Sequence, residues 1–173
     1  MTMNTKIIVG IIVAIAVPVA AYAISPLFIN NTIDEPLPTN LKTDMMADKM
    51  EDKSMMADKM SDGSMAKLNM ISGMFVGVGD GIHDAQGTAK ILQLDDGNKI
   101  LRFEDFRSTN GPDLYVYLAT DKSASDFVSL GPLKANIGNQ NYQIPEGTDL
   151  SKYDTALVWC KQFSVLFGSA ELS

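Results

Sequence analysis

Hydrophobic positions fall into three regimes along the chain. Residues 7–29, IIVGIIVAIAVPVAAYAISPLFI, are uncharged over 23 consecutive positions. At about 1.5 Å per residue in a helix, such a run reaches across the roughly 30 Å of a bilayer core. Residues 30–70 are polar and methionine-rich, with MMADKM at 45–50 and again at 55–60. Methionines at 45, 50, 55, 60, 65 and 70 recur every five residues, a step that spirals round a helix instead of lining one face. With few aromatic or β-branched residues to offset ordering entropy, this stretch is expected to be a disordered linker.

From residue 71 the pattern becomes one of short apolar runs cut by turn dipeptides. ILQL at 91–94, DDGN at 95–98 and KILRFEDF at 99–106 read as a hairpin. Its second strand has no purely apolar face, so a change of character midway is expected. LYVYLAT at 114–120 is rich in β-branched and aromatic residues and is expected to be a central strand, with TALVWC at 155–160 and FSVLF at 163–167 as the last strong strands. The expected fold is all-β, a small sandwich or barrel-like domain over 71–173, preceded by an N-terminal hydrophobic helix (1–29) and a disordered linker (30–70).

Charge sets the topology. Lys6 precedes the apolar run and Asp34 and Glu35 are the first charges after it, so the folded domain is expected on the extracytoplasmic side. Ala21-Tyr22-Ala23 also fits a signal-peptidase site, which leaves a retained single-pass anchor and a cleaved signal peptide as alternatives. The membrane, met through residues 7–29, is the first expected partner. A net charge of −7 without a cluster of basic residues argues against nucleic acid.

One cysteine and one histidine narrow the chemistry. An intramolecular disulfide is excluded, as is any site needing two imidazoles, and Cys-x-x-Cys-His is absent. Cys160, a lone thiol in an exported domain, is the candidate redox residue; its bland alternative is a buried, inert core thiol. It ends a strand on the side opposite Trp159, so its sulfur is expected near solvent, where the neighbouring Lys161 charge could favour the thiolate modestly although alternating side chains diverge. His83 is a candidate metal or haem ligand against the plainer role of a loop histidine. Gly77-Val78-Gly79-Asp80-Gly81 lacks the residues of a phosphate loop and is expected to be a turn, and Asp80 with Asp84 does not reproduce a calcium loop. Met45, Met46, Met50, Met55, Met56 and Met60 are soft sulfur donors suited to Cu(I), the alternative being a plain spacer.

Three segments carry a resemblance: Asn110-Gly111-Pro112-Asp113-Leu114-Tyr115, Gly138-Asn139-Gln140-Asn141-Tyr142, and Trp159-Cys160-Lys161-Gln162-Phe163 with Phe167-Gly168 downstream. Together they closely resemble the DM13 domain, from about Gly73 to the C-terminus. The resemblance implies a β-rich extracellular module for electron transfer, with Cys160 as a naked thiol or as a ligand to a prosthetic group such as haem, working with a separate redox partner protein. The alternative function is a non-catalytic cell-surface binding module in which Cys160 is structural.

Overall fold

A computed structural model describes residues 12–17, 30–42 and 71–173 of the chain. Residues 12–17 are helical and exposed. No helix among the described residues is long and apolar enough to cross a membrane; the rest of the apolar run, and with it the expected N-terminal hydrophobic helix, lies outside them. The Met-rich residues 43–70 also lie outside them.

Among the described residues, ten strands form two five-stranded sheets. The first has the order β1-β8-β5-β4-β2, built from β1 (Thr32–Asp34), β2 (Ser72–Met74), β4 (Ala85–Gln93), β5 (Lys99–Ser108) and β8 (Ile137–Ile144). The second has the order β3-β10-β9-β6-β7, from β3 (Val76–Gly77), β6 (Leu114–Ala119), β7 (Phe127–Pro132), β9 (Thr155–Cys160) and β10 (Val165–Glu171). All pairings between strands are antiparallel except β1 on β8. The inward faces of the two sheets share one core, in which Phe75, Phe103, Phe106 and Tyr142 meet in ring contacts with centroids 4.8–5.3 Å apart. The all-β sandwich follows from period-two alternation feeding two apolar faces into that layer.

The strand over 99–108 does change character, and the cause is a bulge. Ladder register shifts on both sides of it, between Phe103 and Arg107 against β8 and opposite Gln86 and Thr88 on β4. Asp105 sits there at φ 49. The extra residue reverses the alternation, so Leu101 and Phe103 point inward before it and Phe106 after it, all three buried. Ile100 and Arg102 are left on the outer face.

That outer face is covered by residues 30–42, which corrects the expectation of a disordered linker starting at residue 30. They form a strap. Thr32–Asp34 adds to β8 in parallel, opposite Ile137, Gly138 and Asn139. Pro36 and Pro38 offer no backbone N–H, and the carbonyls of Glu35 and Pro36 accept from Arg102 Nη1 at 3.1 and 3.3 Å. Leu41 then packs on Leu92, Leu94 and Ile100. Composition did not reveal this because the strap is ordered by partners 66 to 106 residues away in the chain.

Both ends of the Met-rich segment return to the same strand. The backbone N–H of Lys42 donates to Gln93 O at 2.9 Å, and that of Ile91 donates to Ile71 O at 2.8 Å. Lys42 and Ile71, the described residues on either side of 43–70, therefore both lie against β4. The strap precedes that stretch in the sequence, so the apolar run adjoins the domain at Asn30.

Candidate functional site

Of the three segments that carried the resemblance, one clamps the strap and two build a pocket. In Gly138 to Tyr142, Gly138 has φ 106 and a Cβ there would lie 1.9 Å from Ile33 O, so only glycine lets β1 approach. Asn139 Nδ2 donates to Asp34, and its Oδ1 accepts from the Asp105 N–H at the bulge. Gln140 is fully buried and satisfied, bridging Ala135 and the Tyr142 hydroxyl. The Asn141 side chain accepts from Arg102 and donates to Pro36 O, while its backbone N–H donates to Glu35. This motif is a clamp.

Beneath the clamp, charge is locked in. Arg102 Nε donates to Glu104 Oε1 at 2.9 Å, and Lys90 reaches Oε2 of the same carboxylate. Lys134 pairs with Glu35 at 2.7 Å. Burial pushes the Glu35 carboxyl up, but the hydrogen bonds from Lys134 and Asn141, with the Lys134 and Arg102 charges, hold it below its ordinary value. Glu104 is held down in the same way by Lys90 and Arg102.

Cys160 ends β9 on the inward face, opposite Leu114 on β6 and Val165 on β10. Only 1% of the residue is exposed, which corrects the expectation of a sulfur near solvent. The strand end is covered by its hairpin partner and the 110–112 turn, so the sulfur sits at the base of a cavity and not at the surface. The position of Lys161 is likewise corrected. Its Nζ lies over the Tyr115 ring, 4.8 Å from the centroid, and Tyr115 packs on the outer-face cluster with Trp159. Alternation has carried that charge away from the thiol.

His83 is brought to the same place from 77 positions away. Of the expected turn at 77–81, Gly77 belongs to β3, and the chain bends over 79–82 with Gly79 and Gly81 at positive φ. Asp80 accepts from the backbone N–H groups of Ile82 and His83 at 2.8 and 2.7 Å. It also binds His83 Nδ1 at 2.5 Å. Those bonds, the backbone N–H of His83 foremost, hold the Asp80 carboxyl at about 2. The imidazole stands edge-on to Phe167, ring centroids 4.6 Å apart. With Nδ1 committed to Asp80, Nε2 is the ring atom left to meet a ligand.

Cys160 and His83 both line an open cavity of about 250 Å³, walled by Ile82, Phe163, Val165 and Phe167 and closed by residues 110–112. Gly111 belongs there for steric reasons, since a Cβ would come within 2.7 Å of Phe167. No Asp, Glu, Lys or Arg side chain lines the cavity. Sequence reasoning named Cys160 and His83 but missed Phe163 and Ile82, whose signal was an apolar side chain at the tip of a polar turn.

The fit of a cofactor follows from these dimensions. Pockets that enclose a drug-sized ligand span about 300–1,000 Å³, and a porphyrin is larger than such a ligand, so this cavity does not enclose one. A single metal ion would find one imidazole and one thiol, and no group of three His, Cys, Asp or Glu side chains exists among the described residues. The Asp80 carboxylate is engaged by His83, and the Asp84 carboxylate accepts from Gln86 Nε2. The six methionines considered for Cu(I) lie outside the described residues.

Residues 77–172 match the family described as Electron transfer DM13. The match covers more than half of the chain and takes in both motifs that line the cavity. No curated protein and no solved structure matches the chain.

Proposed function

This chain belongs to the DM13 electron-transfer family, and from that membership we propose that it is a membrane-held, extracytoplasmic electron-transfer module working through Cys160 as a bare thiol. The observation that carries this reading is that the lone cysteine and the lone histidine, far apart in sequence, line one cavity. A thiol there is reached only by groups small enough to enter, which suits exchange with a small or protruding disulfide of a partner.

The chemistry balances without a second cysteine. The Cys160 thiolate attacks a partner disulfide, a new S–S bond forms, and the other sulfur leaves with the electron pair as a thiolate. An incoming external thiolate then breaks the mixed disulfide and restores Cys160. A second external thiolate then displaces the partner sulfur from the disulfide so formed, so that two external thiols become one disulfide, the partner disulfide becomes two thiols, and two electrons pass per cycle. The role assigned to His83 is to take the Cys160 proton on entry of the disulfide, its orientation fixed by Asp80.

Burial of Cys160 favours a second reading, in which the thiol is structural and the domain is a non-catalytic surface-binding module. One experiment separates the two. The full chain in membranes is treated with a small disulfide such as cystamine, and intact mass and visible absorbance are recorded before and after an external thiol is added. The redox reading expects a mixed disulfide on Cys160, reversed by the thiol and lost in Cys160→Ala. A thiol inert in the folded protein, a blank spectrum, and Cys160→Ala changing only stability would establish the surface module instead.

A further inference from the structure

The cavity has apolar lips. Ile82, 70% exposed, and Phe163, 64% exposed, come from two separate turns and stand at the same mouth. Large side chains this exposed around a cavity mark a surface that something apolar covers. The 161–164 turn between β9 and β10 gives Phe163 no inward role, since its neighbours in the ladder, Cys160 and Val165, already face each other.

The chain itself states what lies nearby. Asn110, in the wall of the cavity, donates to Asn30 Oδ1, and Asn136 Nδ2 donates to the same oxygen at 2.9 Å. The Asn31 N–H is held by Asn136 Oδ1 at 2.6 Å. Asn30 is the residue that follows the uncharged run 7–29. No spacer separates the two, because the Met-rich segment is inserted between the strap and β2.

We infer that the mouth of the Cys160 cavity is held against the membrane that carries residues 7–29, with Ile82 and Phe163 entering the lipid interface. This rests on the membrane-held part of the proposed function. Two apolar tips alone bind a bilayer weakly, but a lipid-inserted segment joined at Asn30 makes their contact intramolecular, at an effective concentration in the millimolar range. Whatever reaches Cys160 then approaches along the bilayer surface.

Full-length protein in phosphatidylcholine vesicles tests this, using tryptophan fluorescence and lipids brominated high on the acyl chain. In a Trp159→Phe background, Phe163→Trp is compared with Phe127→Trp. Phe127 is an exposed apolar residue on β7, paired with Ala119 at the end of β6 away from Leu114 and Cys160. The protein is expected to float with the vesicles, with Trp at 163 losing about half its emission or more and Trp at 127 losing none. Failure to float, equal quenching at both positions, or quenching at neither overturns the inference. A blue-shifted but unquenched Trp at 163 also overturns it, and shows that protein covers the mouth. Quenching at 163 with an inert Cys160 would instead remove the redox reading and leave the orientation standing.

Discussion

The side-chain amide of Asn110 donates to Asn30 Oδ1 at 3.3 Å, so the wall of the Cys160 cavity is tied to the first residue after the apolar N-terminal run. The strap that begins there is the element on which most of the fold's testable behaviour turns.

Gly138→Ala should dislodge β1. A methyl group at φ 106 and 1.9 Å from Ile33 O cannot be accommodated by a small shift. Arg102→Ala should release the strap from the other side, leaving two strap carbonyls and the Glu104 carboxylate short of a donor at a cost of about 2–4 kcal/mol. Urea midpoints should fall for both variants, and amide exchange should rise first at Ile137, whose N–H donates to Asn31 O. A wild-type midpoint in both would show that the strap adds nothing to stability.

Acid should loosen the strap before the sandwich unfolds. Glu35 and Glu104 are both held below the ordinary value of 4.5. A carboxyl depressed in the folded state stabilises it fully above its unfolded value and ceases to do so as pH falls through the folded one. Exchange at the amides of Glu35 and Asn141 should therefore accelerate below about pH 4.5, ahead of loss of the β-sheet circular dichroism. Glu35→Gln should abolish most of that pH dependence.

Cutting the Met-rich segment should not free the domain. With a specific protease site placed after Met50, cleavage should leave the 30–50 fragment bound, because the strap's hydrogen bonds and Leu41 hold it on the sheet. The measurement is whether the C-terminal fragment stays on membranes after cleavage. Adding Gly138→Ala should release it, and release from the wild-type strap would contradict the insertion topology.

Access to Cys160 should depend on the size of the reagent. Methyl methanethiosulfonate should label the native thiol faster than a bulky aromatic disulfide, and Phe163→Ala should narrow the difference by widening the mouth. Cys160→Ser should cost about 1–3 kcal/mol, the price of putting a hydroxyl where the pocket floor offers an apolar setting. Equal rates for both reagents, matching those in urea, would mean that the thiol is not pocketed.

Local pattern was enough for the strand content, the 91–106 hairpin, the strand over 155–160 and the naming of Cys160 and His83, because alternation and turn chemistry act over a few residues. It also marked the 99–108 strand as changing character, although not why. The bulge at Asp105 needs β4 and β8 on either side to exist at all. Residues 30–42 read as linker because nothing in their composition offsets their ordering entropy; Arg102, Asn136, Asn139 and Asn141 do so from across the chain. Tertiary structure alone decided that Cys160 is buried, that Lys161 turns to Tyr115, and that His83 joins the thiol at one mouth. Each of these depends on which two chain ends a sandwich brings together, and that is a property of the sheet order, not of any stretch of sequence.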